Sequence, residues 1–419
     1  SAPEIMLTIQ DLKKADLLKE LKLLHFHIGS QISDIKIIKD ALQEASQIFV
    51  ELAKLGAPME YLDVGGGLGI DYDGSKTSSD NSTNYSLQNY ANDVVATIKD
   101  SCDQNNVKHP VIITESGRSI TSHCSVLIFN ILGKSNENYK IDVSELRESS
   151  LIIKNLIETL NQLKLNSQND LDLSKIIELW NDAKKFKEDS FNGFRLGFAS
   201  LQERALAEKI HWACAKEIAN IIEIEGIEHS DLKDINKILA STYYANFSIF
   251  QSTPDTWAIN QVFPIIPIHR HKEKPLINAT FADLTCDSDG KLNNFINNGN
   301  IKTLLKLHEL IDNQEYYIGI FLAGAYQEAL SNLHNLFGNT NIIHIDINQN
   351  NSYKISDMIK EDSKTDVLKV FDYKSDDLVE MIRLKIESAI SNGTLTIEES
   401  QKLLAQIETS LRNSTYLAS

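Results

Sequence analysis

Short apolar runs alternate along this chain with longer stretches in which apolar residues recur every three or four positions. Residues 23–28, "LLHFHI", read as a buried strand. Residues 34–55 read as a helix: Ile38, Leu42, Ala45, Phe49 and Leu52 recur at helical spacing, Asp34 can cap the start, and Gly56 ends it. "EYLDV" (60–64) predicts a second strand that breaks into Gly65-Gly66-Gly67. Residues 85–101, with Tyr90, Val94, Val95 and Ile98 on one face, predict another helix. "PVIITES" (110–116) and "CSVLIFNIL" (124–132) predict a third and a fourth strand. Strands alternating with helices indicate parallel βα units, and four strands are half of a closed eight-stranded barrel. Either the sheet is open, or the other half lies upstream of Ser1.

From about 144 to 224 the spacing is helical throughout. Ile153, Leu156, Ile157, Leu160 and Leu163 form one stripe, Leu173, Ile176, Ile177, Trp180 and Ala183 a second, and Leu201, Ala205, Ile210, Ala213 and Ile218 a third. Three such stripes predict a small bundle. Residues 238–374 return to strands, in "YYANFSIF", "PIIPIHR", "INATFADL", "YYIGIFLAGA", "NIIHIDI" and "VLKVFDY", with turn residues between them. Residues 376–419 return to helix. The expected division is a partial (β/α) barrel over 1–135, an inserted helical bundle over 136–232, an antiparallel β-domain over 233–375 and a C-terminal helical segment over 376–419. The polar stretch "DGSKTSSDNSTN" (73–84) is a long loop, a kind that is often functional.

Composition narrows the function classes. The 419 residues are 42% hydrophobic and 24% charged, with a formal net charge of −17. That balance fits a soluble globular protein and disfavours nucleic acid, whose phosphates need a basic surface. No apolar run is long enough to span a membrane. The N-terminal "SAPEIMLTIQ" has neither the basic nor the apolar region of a signal peptide. Cys102, Cys124, Cys214 and Cys286 form no metal-binding or redox spacing, which favours a reducing, cytoplasmic setting.

In parallel βα architecture, ligands gather at the carboxyl ends of the strands. The first end offers His27, Gly29 and Ser30, the second Gly65, Gly66 and Gly67, the third Glu115, Gly117 and Arg118. Glycines let backbone N–H groups approach an anion, and an arginine clamps phosphate through two nitrogens. Glu115 would repel that phosphate unless the ligand also carried a protonated ring nitrogen farther along, with His27 stacked on its flat ring. Pyridoxal 5′-phosphate has this shape. Singly, each feature has a plainer reading: a glycine loop, a core histidine, a local ion pair. Their order at three successive strand ends is what points to the cofactor.

Together, "HFHIGSQ", "LDVGGGLGIDY", "TESGR", "TCDSDG" and "GAYQ" resemble the fold-type III decarboxylases that use pyridoxal phosphate, a group that includes the ornithine, diaminopimelate and arginine decarboxylases. "DYDGSKTSSDNSTNYSLQNYAN", the helical insertion after "ILGKSN", and "NFSIFQSTPDTWAINQVFPIIPIHR" resemble the biosynthetic arginine decarboxylase branch. The resemblance implies that His27 stacks on the cofactor ring. Ser30, Gly65, Gly66, Gly67, Gly117, Arg118 and Tyr326 would hold its phosphate, and Glu115 would pair with the pyridine nitrogen. Cys286 would reprotonate the decarboxylated carbon in a neighbouring subunit's site, and Asp287 would face the substrate's cationic end. The implied activity is conversion of L-arginine to agmatine and CO2, in polyamine biosynthesis, by a homo-oligomer with shared active sites. Mg2+ enters only by resemblance; no motif marks a metal site, and His269 and His271 in "HRH" lack a third ligand.

Two departures stand out. The family's Schiff-base lysine has no counterpart: "FPIIPIHR" holds no lysine, and Lys22 precedes its strand. The chain is therefore expected to be a carboxy-terminal portion, inactive alone, that needs an N-terminal half or partner chain. Phe247 follows Asn246 where ornithine-type relatives have Asp, which leaves Asp71, Asp80, Asp287 and Asp289 as candidates to read the guanidinium. The rival readings are a diaminopimelate or other basic amino-acid decarboxylase, and an inactive homologue that acts as a regulator or assembly partner. Against diaminopimelate stand the helical insertion and Ser116 in "ESGR".

Overall fold

The computed structural model describes residues 1–135, 150–166, 172–226, 229–350 and 352–417. The first segment runs α1 (Ala2–Lys14), β1 (Leu23–His25), α2 (Ile35–Lys54), β2 (Tyr61–Asp63), α3 (Leu87–Gln104), β3 (Val111–Ile113) and a short α4 (Gly117–Thr121). The Asp34 carboxylate caps α2 by accepting from the Lys36 N–H, and Ser86 with Asn89 forms a capping box on α3. Ile38, Leu42, Phe49, Val94 and Ile98 from these helices pack with Leu62 into one core. The three strands are parallel in the order β1-β2-β3, with Leu24 opposite Leu62 and Leu62 opposite Ile112. The sheet is open: its other face leaves Leu23, Tyr61, Val111 and Ile113 exposed. The predicted buried strand over 23–28 is thus a three-residue strand covered on one side, because among the described residues nothing packs on the other.

The predicted fourth parallel strand belongs elsewhere. Residues Leu127–Lys134, β4, pair antiparallel with two strands of a separate sheet. An unbroken apolar run fits the centre of either sheet type, so "SVLIFNIL" carries no sign of its direction. Phe129 decides the packing here: its ring stacks on Phe247 at 4.4 Å, inside the second core.

The helical insertion contributes α5 (Leu151–Asn166), α6 (Leu173–Arg195), α7 (Leu201–Glu225) and a short α8 (Ile235–Ile238). Residues 144–149 of the predicted helical stretch lie outside the described residues. Ile153, Leu156, Leu163, Ile176, Trp180, Ala183, Ile210 and Ile218 are fully buried together. Leu201, predicted on the α7 stripe, is exposed; the buried face runs through Leu206, Ala207, Ile210, Cys214 and Ile218 instead.

The remaining elements are β5 (Ser241–Ala245), α9 (Ile249–Ser252), α10 (Asp255–Ala258), β6 (Ile265–Pro267), β7 (Ile277–Ala282), β8 (Lys291–Leu292), β9 (Phe295–Asn297), β10 (Asn300–Lys302), β11 (Leu305–Leu307), β12 (Tyr317–Ile320), β13 (Ile342–Ile347), β14 (Tyr353–Ile359), α11 (Lys364–Val370), α12 (Ser375–Ser391) and α13 (Ile397–Arg412). The main sheet runs β11-β7-β5-β4-β12-β6, with β8 on β7. It is mixed rather than wholly antiparallel, because β5 and β7 pair in parallel. "VLKVFDY", predicted as a strand, is the end of α11 and a turn. Ser363 and Asp366 form a capping box there, and only Val367 of that run is buried.

The two β-containing parts meet along the loops that follow β1, β2 and β3. Tyr72 packs edge-on against Phe263 at 5.6 Å, and the Gly324 N–H donates to the Ser122 carbonyl at 3.1 Å.

Candidate functional site

The carboxyl ends of β1, β2 and β3 lie side by side, so the loops after them converge. Gly65 opens the middle loop with φ +65°, and a Cβ there would stand 2.2 Å from the Phe26 carbonyl oxygen; no larger residue fits. The Gly65 carbonyl accepts from the Glu115 N–H at 2.9 Å, and the Ile32 N–H donates to the Gly67 carbonyl at 2.9 Å. The three loops are therefore sewn together by backbone bonds. The Gly66 N–H donates to His27 Nδ1 at 3.2 Å, and a Cβ on Gly66 would lie 3.2 Å from the imidazole. His27 thus lies against the triple glycine, and the backbone of Glu115 is bonded into the same loop.

Arg118 is the unusual residue. It is 6% exposed, yet among the described residues no carboxylate pairs with it. Its Nε and Nη2 donate to Ser30 Oγ at 3.3 and 3.2 Å, and its Nη1 donates to the Tyr72 hydroxyl at 2.9 Å. Its guanidinium lies 5.0 Å from the centre of the Tyr326 ring. Burial pushes the Tyr72 phenol up, against the opposing pull of the guanidinium, so Tyr72 stays neutral. Ser116 and Tyr326, on either side, both hold left-handed backbone, with φ of 40° and 67°. That conformation is uncommon for residues with a side chain and concentrates at functional sites. A buried cation with only neutral partners is costly unless an anion completes it. The donors present suit a phosphate: one guanidinium, the Ser30 hydroxyl, the Tyr326 phenol and glycine amides. Gly117 is a neighbour of the Tyr326 hydroxyl, which would stand in ordinary contact, 3.6 Å, with a Cβ built there.

Tyr72 and His25 are additions that the strand-end pattern did not supply. The signals were present, as the "DY" closing "GGGLGIDY" and as the first histidine of "HFH". His25 Nδ1 stands 2.9 Å from Asp63 Oδ2, and the acidic and imidazole atoms of His25, Asp63 and Glu115 lie within 4.8 Å of one another. Lys22 is at the opposite end of β1, 3.5 Å from Glu60.

The long loop is held at both ends. Ser82 Oγ donates to Asp71 Oδ1 at 2.6 Å, and Asn81 Oδ1 accepts from Gln261 Nε2 at 3.2 Å, across to the second part of the chain. Partial burial raises the Asp73 carboxyl, but bonds from Ser75 and Ser79 outweigh it and hold the group below its usual range. Cys286 is exposed, with its Sγ accepting from Asn335 Nδ2 at 3.5 Å. Asp287 lies 3.4 Å from His334 Nε2, and its Oδ1 accepts from the Asp289 N–H at 2.9 Å. These residues form a second cluster; no bond joins them to the glycine loops among the described residues. His271 Nε2 lies 3.0 Å from the Ile268 carbonyl.

Three family models match in order along the chain: a pyridoxal-dependent decarboxylase pyridoxal-binding domain over residues 5–122, an arginine decarboxylase helical bundle domain over 147–236, and an arginine decarboxylase C-terminal helical extension over 365–417. The biosynthetic arginine decarboxylase of Campylobacter jejuni superposes with a TM-score of 0.83 at 31% identity, covering all of this chain and 67% of that one. The chain belongs to the biosynthetic arginine decarboxylase family. Curated members include the biosynthetic arginine decarboxylase of Prochlorococcus marinus subsp. pastoris, 69% identical over 418 residues, and that of strain MIT 9303, 52% identical. The chain spans 64% of the length of these curated relatives. It has the architecture of its family: barrel strands bearing the pyridoxal-binding region, an inserted helical bundle, a β-domain and C-terminal helices. Among the described residues no helix is long and apolar enough to cross a membrane.

Proposed function

We propose that this protein is the cofactor-binding, carboxy-terminal portion of an enzyme that converts L-arginine to agmatine and CO2 with pyridoxal 5′-phosphate. The observation that carries the reading is Arg118, buried without a carboxylate and ringed by Ser30, Tyr72 and Tyr326. Bound there, pyridoxal phosphate supplies a sink for the electrons left on Cα when CO2 departs. Arg118, Ser30, Tyr326, Gly117 and the amides of Gly65 to Gly67 hold the phosphate. His27 presents its imidazole to the face of the ring. Glu115 keeps the ring nitrogen protonated by accepting its hydrogen bond.

Cys286 holds the proton that Cα takes up after decarboxylation, and Asp287 faces the substrate's cationic end, with Asp71 and Asp289 as further acidic candidates. In this reading Cys286 and Asp287 serve a second subunit, so the working unit is at least a homodimer. The Schiff-base lysine comes from sequence outside these 419 residues, and the chain alone does not turn over arginine. The unpaired cysteines, two of them exposed, suit a cytoplasmic setting.

The test combines this chain with the lysine-bearing portion of a relative and measures CO2 release from L-arginine, L-ornithine and diaminopimelate. CO2 release from arginine, with agmatine formation lost on Cys286→Ala, supports the reading. Release from diaminopimelate alone overturns the substrate.

A further inference from the structure

Asp63 sits under the glycine loop and uses both carboxylate oxygens. Oδ1 accepts the Gly65 N–H at 2.9 Å and Oδ2 lies 2.9 Å from His25 Nδ1. The pairing follows from register, because His25 and Asp63 are opposite one another on the parallel strands β1 and β2. An ionised carboxylate only accepts, so Nδ1 of His25 is the donor to Asp63. Glu115 is the next acidic neighbour, with a carboxylate oxygen within 4.8 Å of a ring nitrogen of His25 and of an Asp63 oxygen. Glu115 is tied in a second way, since its N–H donates to the carbonyl of the same Gly65. Asp63 thus touches both routes to Glu115, one through an imidazole and one through the backbone. A metal ion is not needed to explain the cluster: Nδ1 of His25 and both oxygens of Asp63 are already engaged.

We propose that Asp63 and His25 are positioning residues that hold the Glu115 carboxylate toward the cofactor's ring nitrogen. Two carboxylates this close repel one another; the N–H that His25 gives Asp63 draws negative charge away from Glu115 and leaves the Glu115 carboxylate to turn outward to the ring nitrogen. The phosphate end, held by Arg118 and Ser30, is a separate set of contacts. The inference rests on the reading of Glu115 given above and adds what orients it.

The experiment compares pyridoxal 5′-phosphate with its carbocyclic analogue, in which C–H replaces the ring nitrogen, for binding to this chain by fluorescence titration. Inorganic phosphate is the competing probe for the phosphate end. The wild-type chain binds the pyridine form about tenfold tighter than the analogue, the size of one charge-assisted hydrogen bond. Glu115→Gln abolishes that preference. His25→Ala, a change at a half-exposed side chain, reduces the preference to about threefold or less and leaves inorganic phosphate binding within about twofold. Asp63→Asn keeps an oxygen for the Gly65 N–H but sets a donor against His25 Nδ1, so it loses the preference and leaves inorganic phosphate binding within about twofold; should this variant fold poorly, His25→Ala decides alone. If the wild type and Glu115→Gln treat both ligands alike, the Glu115 reading fails and this inference with it. If Glu115→Gln loses the preference while His25→Ala and Asp63→Asn keep it, only the positioning role is overturned.

Discussion

Arg118→Met separates a ligand-binding arginine from a structural one. In the free protein the guanidinium contributes hydrogen bonds to Ser30 and Tyr72. Their loss leaves the buried Tyr72 hydroxyl short of a partner, at about 1–3 kcal/mol, while the exposed Ser30 hydroxyl turns to water. Against this, the variant no longer desolvates a cation, and that effective penalty is several kcal/mol per ion. The two terms nearly offset, so the free variant should unfold within about 2 kcal/mol of the wild type. The bound state behaves differently. A guanidinium that clamps phosphate makes two charge-assisted bonds, and losing them costs about 3 kcal/mol, or roughly a hundredfold in Kd. The assay is thermal unfolding with and without pyridoxal 5′-phosphate. At ligand near a hundred times the wild-type Kd, the wild type gains about 2.7 kcal/mol and Arg118→Met gains less than about 0.5 kcal/mol. A variant that keeps the full ligand-induced gain, or that loses more than about 4 kcal/mol without ligand, refutes the reasoning.

Three further outcomes are expected. Gly65→Ala forces a Cβ to 2.2 Å from the Phe26 carbonyl at φ +65°, so it should lose about 2 kcal/mol or more in urea unfolding and bind pyridoxal phosphate at least tenfold more weakly. His211 is buried in the helical bundle against Trp180 with ring centres 5.0 Å apart; burial and then Lys187 and Lys184 push it down to about 4. The unfolded state therefore binds the extra proton first, so bundle stability is full above about pH 6.5 and falls through pH 4, by about 3 kcal/mol at most. Urea titrations at pH 7 and pH 4.5 should show that slope in the wild type and a flatter one in His211→Leu. Asn81→Ala removes the acceptor for Gln261 Nε2 and the Val262 N–H, so hydrogen exchange over residues 73–84 should quicken while the helical bundle is unchanged.

What the sequence disclosed follows period and order. The α2 stripe of Ile38, Leu42, Ala45, Phe49 and Leu52 is buried as its spacing requires, because a 3.6-residue period has one inward face. The site residues lie at strand ends, which can be located without knowing the sheet. Direction was not legible: "SVLIFNIL" is apolar nearly throughout, and its antiparallel place depends on distant partners in β5 and β12. "VLKVFDY" was too short for its period to separate helix from strand, and the capping pair Ser363 and Asp366 was the overlooked sign. Tyr72 and Asp63 were hidden for a different reason. Each acts through another residue, and only packing reveals that a phenol reaches Arg118 or that one carboxylate spans His25 and Gly65.

The central claim is that one planar, phosphorylated pyridine fits the cradle at the ends of β1, β2 and β3. A structure of this chain soaked with pyridoxal 5′-phosphate tests it most directly. The account predicts the phosphate against Arg118, Ser30 and the Gly65–Gly67 amides, the His27 imidazole over the ring, and the Glu115 carboxylate on the ring nitrogen. A cofactor bound elsewhere, or bound here with its phosphate away from Arg118, would contradict it.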